Sequence, residues 1–207
     1  MMPRGTTGAI DVAVVGGGIV GAATAALLAG RGLRVRLYER TDIASAASGR
    51  NSGVVQHPFD PLLADLYHES LALYRDLEAA DPAAFRIGSE PAGLLAVDAA
   101  GGGAARATAE AWGAAYPAAA PELLDAPAIR RLEPALAPDV VACRLAIGYP
   151  VGPATATRAF AGLAARAGAE LRTATEVQLA VRGGTAEGVA ADGHVDPAGA
   201  VVVAAGP

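Results

Sequence analysis

The residues with the clearest chemistry are three glycines near the start of the chain. Gly16, Gly18 and Gly21 form a Gly-x-Gly-x-x-Gly pattern between an apolar run and an Ala/Leu-rich run. In this pattern the first glycine permits a tight turn, the second lets the backbone approach a pyrophosphate, and the third lets a helix pack close to a strand. The first helical turn, around Ile19 and Val20, would present its N–H groups to the anion. The pattern therefore predicts a site for the diphosphate of a dinucleotide.

One acid behind the glycines fits the sugar of the same ligand. Glu39 ends the next predicted strand, where a carboxylate can accept hydrogen bonds from both hydroxyls of an adenosine ribose. A carboxylate at this place repels a 2′-phosphate and so disfavours NADP, although the adjacent Arg40 weakens that argument. Spacing alone leaves both FAD and NAD open as the dinucleotide.

A predicted βαβ unit positions these residues. We expect a buried strand at 10–15, a helix at 19–31 and a second strand at 33–39, whose alternating arginines suggest a partly open face. Residues 41–58 read as a loop. Further helices are predicted at 61–80, 104–116, within 121–132, and from Gly152-Pro153 to Gly168. Further strands are predicted at 93–97, 170–173, in a hairpin over 177–191, and at 200–205. Strands that alternate with helices indicate an α/β fold with a parallel sheet.

Composition excludes several classes of function. The 207 residues include no lysine, which rules out a P-loop lysine and a lysine Schiff base with pyridoxal phosphate. The net charge is -5 with no basic run, so we expect no nucleic-acid partner. The single cysteine, Cys143, cannot form an internal disulfide and favours a reducing compartment, so we expect a cytoplasmic protein. Cys143 itself reads as a small core residue, and no Cys/His spacing suits a metal.

An uncharged run at 12–30 leaves a second interpretation of the N-terminus open. With Arg4 upstream, this run could be a signal peptide or a membrane span. Asp11 at its front edge, its interrupting glycines, and its change from β-branched to Ala/Leu-rich composition favour a strand followed by a helix. We therefore expect no integral membrane span. The apolar run at 200–205 would leave a buried strand uncovered, so we expect the chain to be part of a longer protein.

Five segments in order carry a resemblance to a known family. They are VAVVGGGIVGAATA at 12–25, YER at 38–40, SGRNSGVV at 48–55, LLDAPAIRRLEPAL at 123–136, and residues 200–207. Together they resemble the FAD-dependent oxidoreductases of the D-amino-acid oxidase, glycine oxidase and sarcosine oxidase superfamily. The resemblance covers almost the whole chain, and it favours FAD over NAD.

The resemblance implies a Rossmann-like FAD-binding domain interrupted by part of an inserted α+β substrate domain. The FAD-binding domain would comprise residues 1–82 and 149–207, and residues 83–148 would form the start of the substrate domain. The loop after the second strand would lie beside the pyrophosphate and flavin, which assigns cofactor contacts to Ala47, Ser48, Arg50, Asn51, Ser52 and Gly53. Val177 would meet the adenine through its backbone, and Gly206 would lie near the cofactor. Asn51 stands where some relatives attach flavin through a histidine, so non-covalent FAD is expected.

The implied activity is oxidation of an amino acid or related secondary amine by hydride transfer to flavin. Oxidation of a 2-hydroxy acid by the same superfamily is one alternative. A truncated, non-catalytic FAD-binding fragment and a NAD-binding domain are two others. The pattern assigns no catalytic residue, because relatives supply their substrate-carboxylate arginine from a later part of the chain. His57 is the one candidate acid or base, and we interpret it as structural. Trp112 and Phe160 are interpreted as core residues, and His68 and His194 as surface residues.

Overall fold

The structure is a computed structural model that describes residues 10–99, 101–191 and 193–206. It divides into two compact units. The first unit takes in the described parts of 1–53, 72–86 and 151–207, and the second takes in those of 54–71 and 87–150.

The two units contain eleven strands and six α-helices among the described residues. The strands are β1 Ile10–Val15, β2 Val35–Tyr38, β3 Val54–Val55, β4 Leu94–Asp98, β5 Glu122–Leu124, β6 Val141–Leu145, β7 Tyr149–Pro150, β8 Glu170–Arg172, β9 Gln178–Arg182, β10 Thr185–Ala191 and β11 His194–Val203. The helices are α1 Ile19–Gly30, α2 Ala47–Arg50, α3 Pro61–Ala80, α4 Gly103–Ala115, α5 Ala126–Leu132 and α6 Pro153–Arg166, with a 3-10 turn at Pro117–Ala119. None of the helices in the described residues is long and apolar enough to cross a membrane.

The first unit is built on a six-stranded sheet in the order β8-β2-β1-β11-β10-β9. The four strands β8, β2, β1 and β11 are parallel, whereas β11, β10 and β9 form an antiparallel meander. Strand β11 belongs to both parts. Its residues 194–197 pair with β10, and its residues 198–203 run beside β1. A mostly parallel sheet with crossover helices confirms the predicted α/β class.

Small residues let the helices of the first unit pack closely. Helix α1 packs against α6, and its buried residues are Gly21 and four alanines. Helix α6 likewise buries alanines, together with Thr157 and Phe160. The Phe160 ring lies 5.8 Å from that of Tyr74, which confirms its role as a core residue. Most of the residues that these two helices bury are alanines, whose small side chains allow the close packing.

The arginines of the second strand lie in ion pairs. Arg36 bridges Glu170 on β8 and Asp196 on β11, and the buried Tyr38 donates its hydroxyl hydrogen to Asp196 at 2.6 Å. Arg34 binds both carboxylate oxygens of Asp11. The partly open face expected from the alternation thus carries charged side chains that link β2 to β8 and, across β1, to β11.

The second unit contains a three-stranded antiparallel sheet, β4-β6-β5, and a separate pair formed by β3 and β7. Cys143 on β6 is fully buried in a cluster with Leu145 and Ile147, against which Trp112 of α4 packs. Burial raises the pKa of the Cys143 thiol, although a backbone hydrogen bond involving Glu122 opposes the shift. The prediction that Cys143 is a core residue is confirmed, and Trp112 is partly buried against the same cluster.

Several predicted elements differ from the structure. Residues 121–132 form a strand, β5, before helix α5, because Leu124 is buried beside β6 and the Asp125 side chain caps the helix by accepting the Ala128 N–H. The predicted loop at 41–58 contains α2 and β3. Strand β11 begins six residues before the predicted position, since pairing with β10 extends it. Strand β6 was not predicted.

Candidate functional site

The candidate site lies in the first unit, where β1 turns into α1. Gly16 follows β1 with φ of 112°, a conformation that favours glycine, and its N–H donates to the Tyr38 carbonyl at 2.8 Å. A Cβ at Gly16 would overlap the Ala204 carbonyl, which lies just after β11. The tight turn and the end of the last strand therefore require glycine at this position.

The next two glycines of the pattern have different surroundings. A Cβ at Gly21 would overlap the Gly16 carbonyl oxygen, so Gly21 lets the helix begin directly over the turn. Gly18 is extended, with φ of -76° and ψ of 179°, and a Cβ there would meet only the Ser48 side chain, at 3.0 Å from Oγ. Gly21 is thus needed for packing against backbone, whereas a side chain at Gly18 would crowd only the Ser48 side chain.

The N-terminus of α1 carries the positive end of the helix dipole, and the Ser48 hydroxyl lies beside it. Its first turn contains no acidic residue, and its N-cap residue, Gly18, offers no side-chain cap. The Ser48 hydroxyl, from helix α2, accepts the Ile19 N–H at 3.0 Å. Accepting that bond leaves the hydroxyl hydrogen of Ser48 available as a donor. The helix dipole, the amides of the first turn and this hydroxyl together suit an anion.

The Glu39 carboxylate faces the same turn. Its Oε2 accepts the Gly17 N–H at 2.7 Å, and its Oε1 accepts the N–H and hydroxyl of Thr41 at 2.8 and 2.9 Å. Partial burial tends to raise the pKa of Glu39, but these hydrogen bonds outweigh burial and hold its pKa below the ordinary value. A carboxylate can accept about four hydrogen bonds, so this ionised group has capacity for a further donor.

Two adjoining pockets of about 290 and 260 Å³ lie on this side of the first unit. They share Gly16, Glu39, Arg40, Ala205 and Gly206. The first pocket extends along the start of α1 to Ala47 and Ser48, and the second extends to Thr175, Glu176 and Val177. We call the two pockets together the crevice. The crevice thus has an anion-binding end and a carboxylate at its middle.

Ten of the fifteen predicted cofactor-binding residues line the crevice. They are Gly16, Gly18, Ile19, Val20, Glu39, Arg40, Ala47, Ser48, Val177 and Gly206. The other five are not among the residues that line it: Gly21, Arg50, Asn51, Ser52 and Gly53.

The positions of those other residues have local explanations. Gly21 is buried beneath the turn, as described above. Asn51 holds the local loop, because its amide donates to the carbonyls of Ala47 and Ser48 and its Oδ1 accepts the Gly53 N–H. Gly53 is buried with φ of 69°, and a Cβ there would overlap the Val151 carbonyl. Arg50 and Ser52 are exposed.

The structure also brings residues to the crevice that the sequence analysis did not select. The loop residues Ala44, Ser45 and Ala46 line it, as do Ala204, Ala205, Thr175 and Glu176. Gly17 lines it too, and its amide binds Glu39. For Gly17 a signal was available, since it is the middle residue of a Gly-Gly-Gly run. The alanines carry no chemical signal of their own.

The crevice fits the adenosine diphosphate part of a dinucleotide. Its glycine turn places the start of α1, with Val20, at one end of the crevice, and its ionised carboxylate can accept a hydrogen bond from a sugar hydroxyl. No group of three or more His, Cys, Asp or Glu side chains within the described residues could hold a metal ion.

Comparison with known proteins identifies the same chemistry. A family model described as "FAD dependent oxidoreductase" matches residues 11–207. The structure is similar to that of glycine oxidase from Bacillus cereus, with a TM-score of 0.78 and 28% identity over 95% of this chain and 55% of that one. It is also similar to L-amino acid deaminase from Proteus myxofaciens, with a TM-score of 0.80 and 25% identity over 99% of this chain and 47% of that one.

A curated relative matches over a shorter segment. The anaerobic glycerol-3-phosphate dehydrogenase of Escherichia coli K12 has one chain that is 56% identical over 45 residues, which are 22% of this chain and 8% of that protein. The present chain therefore spans about half the length of the solved structures it matches, and a small part of this relative.

Proposed function

The chain belongs to the FAD dependent oxidoreductase family, and from that membership we propose that its crevice binds FAD non-covalently and that the whole protein oxidises an amino acid or related amine. The observation that carries the proposal is the meeting of the α1 start and the Glu39 carboxylate in one crevice. Bound flavin would supply the hydride acceptor for the reaction.

Different residues of the crevice would bind different parts of FAD. The Ile19 N–H donates to the Ser48 hydroxyl, so the Val20 N–H would donate to the diphosphate and Ser48 would donate its hydroxyl hydrogen to a phosphate oxygen. Glu39, which already accepts three hydrogen bonds, would accept one more from a ribose hydroxyl. The Val177 backbone would face the adenine in the second pocket. Arg40 lines both pockets and would place positive charge beside the ligand.

Hydrogen bonds within the loop after α2 would hold the backbone that lies beside the flavin. Asn51 bonds to Ala47, Ser48 and Gly53, which fixes the backbone around the Ser48 hydroxyl. An asparagine cannot form the covalent flavin bond that a histidine forms at the corresponding position of some relatives, which supports non-covalent attachment.

The substrate proposal follows the named relatives. Glycine oxidase and L-amino acid deaminase act on amino acids by their names, and both match this chain over nearly its whole length. The second candidate substrate class is a 2-hydroxy acid or related alcohol. It is favoured by the 45-residue match to a dehydrogenase named for glycerol-3-phosphate, which carries hydroxyl groups and no amine.

The cofactor proposal can be tested on this chain. The purified chain should be mixed with FAD or with NAD, and binding should be followed by calorimetry and by the visible flavin spectrum. We expect binding of FAD and none of NAD. After acid precipitation, all of the flavin should remain in the supernatant. Preferential binding of NAD, or flavin that stays with the precipitate, would contradict the proposal.

The substrate proposal needs the full-length protein. Anaerobic bleaching of the bound flavin should be recorded with glycine, proline, other D- and L-amino acids, 2-hydroxy acids and glycerol-3-phosphate. Bleaching by amines supports the leading proposal, and bleaching by hydroxy compounds alone supports the second candidate. Flavin that is bound but bleached by neither class would contradict both, while leaving the cofactor proposal intact.

A further inference from the structure

Most of the aromatic side chains of this protein gather around one cavity of the second unit. The whole chain has only three Phe, five Tyr and one Trp. The cavity, of about 410 Å³, is lined by Tyr67, Tyr116 and Tyr149 and by two of the three histidines, His57 and His68. Phe59 and Trp112 pack on the His57 ring, with centroid distances of 6.4 and 5.2 Å. Five of the nine Phe, Tyr and Trp residues of the chain therefore lie around this cavity.

His57 lies at the centre of this cluster. It is 4% exposed, and the Tyr116 and Tyr67 rings lie 4.7 and 5.0 Å from it. Its Nδ1 accepts the Phe59 N–H at 3.3 Å, which leaves Nε2 to carry the ring hydrogen of the neutral form. Burial, and to a lesser degree the charge of His68, lower the pKa of His57 and favour this neutral donor form.

A second observation is the Tyr116 hydroxyl. It is buried and has no hydrogen-bond partner among the described residues. Buried hydroxyl groups in native proteins are normally paired, so an unpaired one requires an explanation. Tyr116 lines the cavity, so a small rotation of its side chain would bring this covered hydroxyl to an acceptor atom of a bound ligand.

The lining also restricts the charge of a ligand. The described residues that line the cavity include no Asp, Glu, Lys or Arg, and most of them are Ala, Leu, Ile, Pro or aromatic. The ammonium and carboxylate groups of an amino acid would therefore find no oppositely charged side chain in the cavity, and burying them unpaired is unfavourable. The cavity is of the size of ordinary small-molecule sites, about 300–1,000 Å³. Aromatic walls favour a flat ring that can stack or make edge contacts.

We propose that this cavity binds a neutral, planar aromatic molecule that bears a hydrogen-bond acceptor. The cavity shares no lining residue with the crevice of the first unit, and the proposal does not depend on the proposed function. Its ligand class differs from the charged amino acids proposed as substrate, so it would admit a second kind of compound.

Quinoline, a neutral bicyclic ring with one acceptor nitrogen, is the probe for the test. Calorimetric titration of the full chain near neutral pH, with the His57 ring signals followed by NMR, should show binding and a shift of the Nε2–H signal. The charged analogue quinoline-4-carboxylate should bind at least about tenfold more weakly, since it would bury an unpaired charge. Failure of quinoline to bind at millimolar concentration would overturn the proposal.

Variants separate the cavity from adventitious sites. Ala146→Leu fills the cavity and should weaken quinoline binding about tenfold or more, whereas Tyr116→Phe removes the unpaired hydroxyl and should weaken it about threefold to tenfold. Ala135→Leu, at an exposed position of the same unit, is the matched control. If Ala146→Leu fails to fold, Ala118→Leu in the cavity wall replaces it. Unchanged binding to a folded, cavity-filled variant would overturn the proposal.

Discussion

The Glu39 carboxylate accepts the backbone N–H of Gly17 at 2.7 Å, and this bond fixes an acid that follows β2 to the turn between β1 and α1. A Cβ at Gly17 would lie 2.9 Å from Glu39 Cγ, so the approach depends on glycine. Glu39 therefore has two roles: it stabilises the turn, and its carboxylate lines the crevice.

Replacing Glu39 tests both roles. Glu39→Gln keeps one acceptor oxygen but places an N–H₂ group against either Gly17 or Thr41, which are both donors to the native side chain. We expect a small loss of stability and a loss of FAD affinity of about tenfold, measured by urea unfolding and by titration of the apoprotein with FAD. Glu187→Gln, on the β9–β10 hairpin, is the control. Unaltered FAD affinity in Glu39→Gln would exclude a ribose contact.

Two glycines of the same pattern should respond differently to alanine. Gly21→Ala would overlap the Gly16 carbonyl and should destabilise the protein by about 3 kcal/mol or more. Gly18→Ala meets only the Ser48 side chain, so it should cost under about 1 kcal/mol in stability while weakening FAD binding, because the new methyl group covers the amides. Thermal unfolding and FAD titration separate the two. Equal destabilisation by both substitutions would contradict the described turn.

Ser48 should contribute to both the helix and the ligand site. Ser48→Ala removes the acceptor for the Ile19 N–H and should lower stability by about 1 kcal/mol, as removal of a helix cap does. Ser45→Ala, in the same loop, is the comparison, because Ser45 bonds to Thr41 and not to the helix. We expect FAD affinity to fall more in Ser48→Ala than in Ser45→Ala. The reverse order would place the diphosphate away from Ser48.

The Asp11–Arg34 pair predicts a pH dependence of stability. Hydrogen bonds from the Arg34 side chain, and then from its backbone, lower the pKa of Asp11 to about 2. Because the folded pKa is below that of the unfolded chain, the pair stabilises the protein above the unfolded pKa and loses this effect as pH falls toward 2. The difference in urea midpoint between wild type and Asp11→Asn should therefore narrow from pH 5 downward. A difference that is constant over this range would contradict the pairing.

The sequence predicted those elements whose signal is local. Helix α3 was predicted with its observed bounds, and the first βαβ unit within a few residues, because apolar periodicity and glycine stops specify them. Strand β6 and the first half of β11 depend on partners distant in sequence or on pairing across a turn, such as that of Val189 with Asp196. Their sequences contain Arg144 and Pro197, which weaken the strand pattern.

The candidate site shows the same division. Gly16 and Glu39 were identified because their types and spacing carry chemistry. Ala204 and Ala205 line the crevice only because β11 lies beside β1, and an alanine side chain carries no chemical group that would predict such a position. The Thr41 contacts of Glu39 likewise require the folded loop.

The pairing of β1 with the far end of β11 also bears on how the protein is synthesised. Val15 lies beside Val203, so β1, which pairs with β2 on one side, gains its second neighbour only after residue 203 has emerged from the ribosome. Such distant pairing slows folding, because a long loop must close before the contact is gained. Until then one edge of β1 would be unpaired, and the crevice, which Ala204 and Ala205 line, would be incomplete.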